Sequence, residues 1–287
     1  MASGKDLKRR IASVKSTQQI TKAMKMVAAA RLRRAQDSIV RARPFVAAIK
    51  STVQSLGGGD DIRGNHPLFL VREVKRVHVI LITSDRGLCG SFNTNLLKAA
   101  EQMYRSESSK YESMSFTCIG KKGNEYLNLR KIPVHKYYPD FLRSVTYAKV
   151  QAVAEDMIQE FVRGEFDEVR IIYAEFKSAI SQIVTRTKLL PVDLTAEKAA
   201  SAQEFLFEPA REEILDELLP RYFKSKVYRA VLESLASEHG ARMAAMDNAT
   251  KNAGEMIRKL TLEFNKLRQA SITKELLEIV SGAEALK

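Results

Sequence analysis

Proline is absent from the first 43 and from the last 67 residues of this chain of 287. A proline inside a helix costs about 3 kcal/mol, so both ends are free to form long helices. Cysteine is nearly absent as well: Cys89 and Cys118 have no paired spacing, which excludes a disulfide framework and fits a reducing compartment. No apolar run approaches the 18 or so residues of a membrane span, and the longest lies near Val77–Ile82. The first 43 residues contain no Phe, Tyr or Trp, so no base can stack there. A secretory signal is excluded too, because Met26–Ala30 is too short an apolar stretch before Arg31. The basic, acid-poor start also has the composition of an organelle transit peptide, but it runs on unbroken into the next segment.

What is present is charge, unevenly placed. The formal net charge is +13. Residues 1–43 hold 12 Lys and Arg against Asp6 and Asp37, net +10, and residues 221–287 are net +4. The remainder, 44–220, is close to neutral at −1. Basic ends around a neutral middle predict an acidic partner surface.

The ends also carry helical seams. Met246, Ala249, Ala253, Ile257, Leu260, Phe264 and Leu267 follow steps of three and four residues. The seam then slips phase and restarts as Ile272, Leu276, Ile279, Ala283 and Leu286. At the N-terminus a thinner stripe reads Leu7, Ile11, Val14, then Ile20, Met24, Val27, Ala28 and Leu32. Residues 5–55 would span about 75 Å and residues 221–281 about 90 Å at 1.5 Å per residue. Such lengths exceed a compact domain, so the two ends are expected to leave it and wrap each other antiparallel.

The middle alternates strands and helices. Arg76–Ser84 is a continuous apolar run of the kind that forms a strand buried on both faces. Helices are predicted over 92–104, 121–129 and 141–161, and strands over 115–120, 168–176 and 181–190, the last two as a hairpin. Residues 57–66 and 195–204 read as loops. The pattern is that of an α/β layer with a mostly parallel, Rossmann-like sheet. The expected division is 1–56 for the N-terminal coiled-coil helix, 57–204 for the central α/β domain, and 205–287 for a foot region with the C-terminal helix.

Few residues look catalytic. Ser84–Ser91 (SDRGLCGS) follows the first strand and precedes a helix, where nucleotide-binding folds place a phosphate loop. It matches neither G-x-G-x-x-G nor a P-loop, and its glycines suit a tight turn instead. The histidines (His66, His78, His135, His239) show no metal-ligand spacing with one another or with the cysteines. His78 and Cys118 lie within strands and read as core residues. Glu212, Glu213, Asp216 and Glu217 read as a solvated helix face. No cofactor, metal or catalytic constellation emerges. The alternative that survives is a basic coiled coil binding nucleic acid or an anionic membrane through phosphates.

Three segments carry a resemblance. Ile11–Ala29 (IASVKSTQQITKAMKMVAA), Ser84–Gly90 (SDRGLCG) and Arg268–Ala283 (RQASITKELLEIVSGA) closely resemble, in order, the N-terminal helix, central-domain loop and C-terminal signature of bacterial ATP synthase gamma subunits. No cysteine-bearing insert of the chloroplast type is present. The resemblance implies a non-catalytic rotor stalk, turned by a proton-driven ring of c subunits inside three alpha and three beta subunits. It implies that Arg268, Gln269 and Thr273 meet a beta-subunit loop, and that Met24 and Lys25 lie near an acidic lever of beta. By the same likeness Phe205, Phe207 and Glu208 belong to the foot beside the c ring and the epsilon subunit. Ile272, Leu276 and Ile279 lie in a tip held by an apolar collar. The implied place is peripheral, on the cytoplasmic face of the bacterial cell membrane, with no nucleic-acid partner.

Overall fold

The computed structural model describes residues 4–56, 66–193 and 211–284, the side chains of 282–284 excepted. Its elements are α1 (Gly4–Leu56), β1 (Arg76–Ile82), α2 (Phe92–Glu107), β2 (Ser113–Ile119), α3 (Lys121–Leu129), β3 (Val134–Tyr138), α4 (Tyr147–Val162), β4 (Glu168–Phe176), β5 (Gln182–Leu190) and α5 (Arg211–Glu284). The described residues form two compact units, one drawn from Met1–Ala28 with Met243–Lys287 and one from Ala29–Arg242. The loops expected at 57–66 and 195–204 lie outside the described residues apart from His66, as do Phe205, Phe207, Glu208 and Leu286.

Both long helices pass through a proline: Pro44 in α1 and Pro220 in α5. The expected start of the C-terminal helix at 221 is therefore corrected to Arg211. The reason is packing. Leu215, Leu219, Tyr222 and Phe223 on either side of Pro220 are at most 2% exposed. Fully burying each large apolar side chain contributes about 1.5–3 kcal/mol, enough to offset one helix-interior proline.

In the unit built from Ala29–Arg242, a five-stranded sheet runs in the order β3-β2-β1-β4-β5. The first four strands are parallel and β5 joins antiparallel to β4. Strand alternation sends Ile80, Ile82, Ile119 and Ile171 to one face, where they meet α4 (Val150, Met157, Phe161) and the long helices (Val53, Leu219, Phe223, Val227). Val79, Leu81, Phe116 and Cys118 face the other way, onto α2 and α3. β1, at the centre, is covered on both sides, which is why it reads as a mostly apolar run broken only by His78 after Arg76.

β3 lies in a stretch without strand signal: it is five residues long, polar (VHKYY) and flanked by Pro133 and Pro139. The helix expected over 141–161 is instead a 3-10 turn at Phe141–Arg143 followed by α4, because Thr146 caps a new helix by accepting from the Lys149 amide.

In the unit built from the chain ends, α1 and α5 pair antiparallel. Gly4 lies opposite Phe264, Gln18 opposite Thr250 and Gly254, and Lys25 opposite Asp247, so one number falls as the other rises. The α5 seam is the one the sequence predicts: Met246 and Ala253 are buried, and Ile257, Leu260, Phe264 and Leu267 are half-buried amid exposed neighbours. The α1 seam differs. Leu7, Ile11, Val14, Gln18, Thr21, Lys25 and Ala28 turn inward, whereas Ile20 and Val27 are 57% and 53% exposed. A seam must recur every 3.5 residues on average, and Ile20 and Val27 are out of phase with Leu7 and Val14.

Candidate partner interface

Phase conflict gives this helix pair its chemistry. Because the α1 seam passes through Gln18 and Thr21, the interface there is polar. Gln18 donates to the Thr250 carbonyl at 3.4 Å, and the hydroxyls of Thr21 and Thr250 lie 2.8 Å apart. Gly254 gives Gln18 room, since a Cβ there would come within 3.1 Å of its amide nitrogen. One layer further along, Lys25 donates to Asp247 at 2.5 Å, and Lys251 approaches the other oxygen at 2.9 Å. These two ammonium groups, Lys25 first, hold the Asp247 carboxyl down at about 2. Met24 and Lys25 are thus half turned into the pair. The large apolar side chains exposed on this stretch are Ile20, Met26 and Val27.

Beyond Leu267 the character of α5 changes. Every residue from 268 to 281 is exposed, yet the segment carries Ile272, Leu276, Leu277, Ile279 and Val280, each 49–67% exposed. Arg268 and Gln269 stand exposed at its start, and Thr273 spends its hydroxyl on the Gln269 carbonyl at 3.0 Å. Five large aliphatic side chains exposed on one helical segment make a candidate contact surface. Of the predicted contact residues, Arg268, Gln269, Ile272, Thr273, Leu276 and Ile279 fall on this one segment. Met24 and Lys25 lie on the helix pair, and Phe205, Phe207 and Glu208 are outside the described residues.

The rival site, Ser84–Ser91, is folded by its own hydrogen bonds into a turn that is not a phosphate cradle. The Ser84 amide donates to Asn93 Oδ1 at 3.0 Å, and the Ser84 hydroxyl donates to the Arg86 carbonyl at 2.6 Å. Leu88 and Gly90 adopt positive φ (62° and 57°), and the Arg86 and Gly87 carbonyls both accept from Arg242 at 3.2 Å. A phosphate cradle offers amides to an anion; this loop offers carbonyls to a guanidinium. Cys89, at its centre, is buried with its thiol pushed up by burial, so it stays protonated, and burial takes Cys118 to about 12. Sequence reasoning did not single out Arg242, which sits 155 residues from Gly87. Nearby, a cavity of about 570 Å³ gathers Arg31, Arg34, Arg86 and Arg143 around Asp85, Asp140 and Glu238. Only the fold brings these together.

His78 is a satisfied core residue, as expected. It lies 2.9 Å from Ser115 Oγ and 2.8 Å from Thr117 Oγ1 and stacks on Phe166 with ring centroids 4.1 Å apart. Burial, reinforced by His135 and Lys136, takes it down to about 3, so it is neutral.

Comparison with known proteins places these features in a family context. A family profile described as ATP synthase matches residues 3–286. The ATP synthase gamma chain of Bdellovibrio bacteriovorus is 49% identical over the full length of both chains, and that of Geobacter metallireducens is 46% identical, again over both full lengths. Among solved structures, the central stalk and c-ring structure of Tetrahymena thermophila mitochondrial ATP synthase matches with a TM-score of 0.63 at 29% identity, over 80% of this chain and 99% of that one. A chain of the Euglena gracilis mitochondrial ATP synthase structure of OSCP, F1 and c-ring matches with a TM-score of 0.72 over 99% and 94% of the two chains; at 23% identity it speaks for the fold alone.

Proposed function

The chain belongs to the ATP synthase gamma-chain family, and from that premise we propose that it works as the rotor stalk of its complex through two surfaces of the paired helices. The first is the exposed apolar stretch 268–281, which seats in an apolar bearing formed by the alpha and beta subunits. Hydrophobic contact is non-directional, so such a tip is held yet able to turn. Arg268, Gln269 and Thr273 form the polar rim of that seat, against a beta-subunit loop. The second is the basic face of α1 around Met24 and Lys25, set toward an acidic segment of beta, with Ile20, Met26 and Val27 adding apolar contact.

The observation that carries this reading is the run of exposed residues from Arg268 to Ser281 with five large aliphatic side chains among them. A helix designed to stay in water would place polar residues there. The charge asymmetry of the two ends, net +10 against net +4, makes the paired helices chemically different on different faces. Such a shaft presents a distinct face to each of three catalytic sites as it turns. On this reading nucleotide chemistry belongs to the partner subunits, which is supported by the Arg86 and Gly87 carbonyls of the Ser84–Ser91 loop accepting from Arg242. Functionally the division is 1–56 and 205–287 for shaft and foot and 57–204 for the central domain. Phe205, Phe207 and Glu208 are assigned to the foot beside the c ring and epsilon subunit. Among the described residues no helix is long and apolar enough to cross a membrane, and the subunit sits peripherally, on the cytoplasmic face of the bacterial membrane. No observation favours the nucleic-acid reading.

Reconstitution with alpha and beta subunits tests the proposal. The expected result is an assembly with ATPase activity that neither the chain alone nor alpha with beta reproduces. In membrane vesicles, Arg268→Ala with Gln269→Ala should lower ATP-driven proton pumping, and Ile272→Asp with Leu276→Asp should lower it further. Full coupling in both double variants would mean that the tip is not the seat.

A further inference from the structure

Glu160, on α4, is 3% exposed and has one carboxylate oxygen, Oε2, with no hydrogen-bond partner. A buried polar atom left unpaired costs about 1–3 kcal/mol, more when charged, so it asks for a ligand. Two other unpaired buried atoms exist among the described residues, Glu233 Oε2 and Ser234 Oγ. Only Glu160 has metal-binding companions. His135 on β3 and Glu165 in the turn before β4 each bring a ligand atom to it, all within 4.8 Å of one another.

One oxygen of each acid is already engaged, and Glu160 Oε2 is left without a partner. Lys136 holds Glu160 Oε1 at 2.8 Å, and Arg163 holds Glu165 Oε1 at 3.1 Å. His135 Nε2 lies 3.3 Å from Glu160 Oε1. Its ring is located by an edge contact to Phe166 at 5.3 Å. The Glu165 amide donates to the Glu160 carbonyl at 2.9 Å, which keeps the two acids together. We propose that His135, Glu160 and Glu165 form a site for a first-row divalent cation of the Zn²⁺ class, tying β3 to the turn between α4 and β4.

The donor set selects the metal. One imidazole nitrogen with two carboxylates suits Zn²⁺, Co²⁺ or Mn²⁺, whereas Ca²⁺ and Mg²⁺ prefer oxygen alone. Metal–ligand bonds of about 2.0–2.2 Å bring tetrahedral ligands to roughly 3.3–3.6 Å of each other. A small rotation of the His135 and Glu165 side chains, whose present partners are at 3.1–3.3 Å, would close the remaining gap, with water as fourth ligand. The clip has a structural use. β3 is an edge strand bonded to β2 alone, and a cation would add a second tie between it and the body of the unit.

The test uses the full chain, stripped of metal. Titration calorimetry with Zn²⁺ should give one site per chain, Co²⁺ should produce the visible absorption of a tetrahedral nitrogen–oxygen site, and Zn²⁺ but not Mg²⁺ should raise Tm. His135→Ala and Glu165→Gln, both at exposed side chains, should fold normally and lose affinity at least about tenfold. Glu160→Gln tests the buried ligand itself. No Zn²⁺ binding to the wild-type chain, or binding unchanged in both exposed variants, would overturn the proposal, the latter showing an adventitious ion only.

Discussion

Lys25 on α1 donates to Asp247 on α5 at 2.5 Å, joining residues 222 apart in the chain across the helix pair. Asp247 is held down at about 2, below the ordinary carboxylate value of 3.8, by Lys25 and then Lys251. Its contribution to pairing is therefore complete above pH 4 and lost as pH falls toward 2. Acid melts followed by circular dichroism should show this step. Asp247→Asn should flatten it while leaving the helices paired at neutral pH, because the apolar layers from Leu7 to Phe264 remain.

Arg242 and Glu238 behave as a buried pair. Their side chains are 11% and 8% exposed, with Arg242 Nη1 2.6 Å from Glu238 Oε1. Burial pushes the Glu238 carboxyl up. Arg242→Ala removes its partner and also uncovers the Arg86 and Gly87 carbonyls, and should destabilise by about 3–5 kcal/mol in urea unfolding. Adding Glu238→Gln should restore part of that loss. Equal stability of wild type and Arg242→Ala would show that the guanidinium is not what holds the loop.

Gly120 ends β2 at φ 104°, and a Cβ there would come within 2.1 Å of the Thr83 carbonyl oxygen. Strain of about 1–3 kcal/mol from the backbone is compounded by a clash with main chain, which cannot rotate away. Gly120→Ala should lose about 3 kcal/mol or more in thermal or urea unfolding. Gly87, with nothing within 4 Å and no positive φ, should tolerate alanine with little change.

His78 supplies an opposite pH signature. Its folded value of about 3 lies below the ordinary 6.5, so the unfolded chain takes up the proton first. Stability is thus full above pH 6.5 and declines as pH falls toward 3. His78→Asn should flatten the stability profile in that window. The Ser115 and Thr117 hydroxyls can still bond to the amide, so the variant is expected to remain folded.

Much of the fold was legible before the tertiary structure. Proline-free ends allowed long helices, because one missing amide matters most where no core supports it. The steps from Met246 to Leu267 marked the α5 seam, since helical period is a local property. Arg76–Ile82 showed itself as a strand buried on both faces through its mostly apolar run. The helix start at Arg211 was not legible, because burial of Leu215, Leu219 and Phe223 overrides Pro220 only once the core exists. β3 was missed because an edge strand of five polar residues carries no periodic signal.

By itself, then, the sequence determined the two helical ends, their unequal charge, the α/β middle and the family. The tertiary structure alone decided which side chains meet. The α1 seam runs through Gln18 and Thr21 rather than Ile20 and Val27, because pairing with α5 enforces one phase along the whole contact. Thr21 finds Thr250 across 229 residues of chain, Arg242 finds Gly87 across 155, and His135 finds Glu160 across 25. Local propensity acts over a few residues, so it cannot specify partners at such separations; packing and register do.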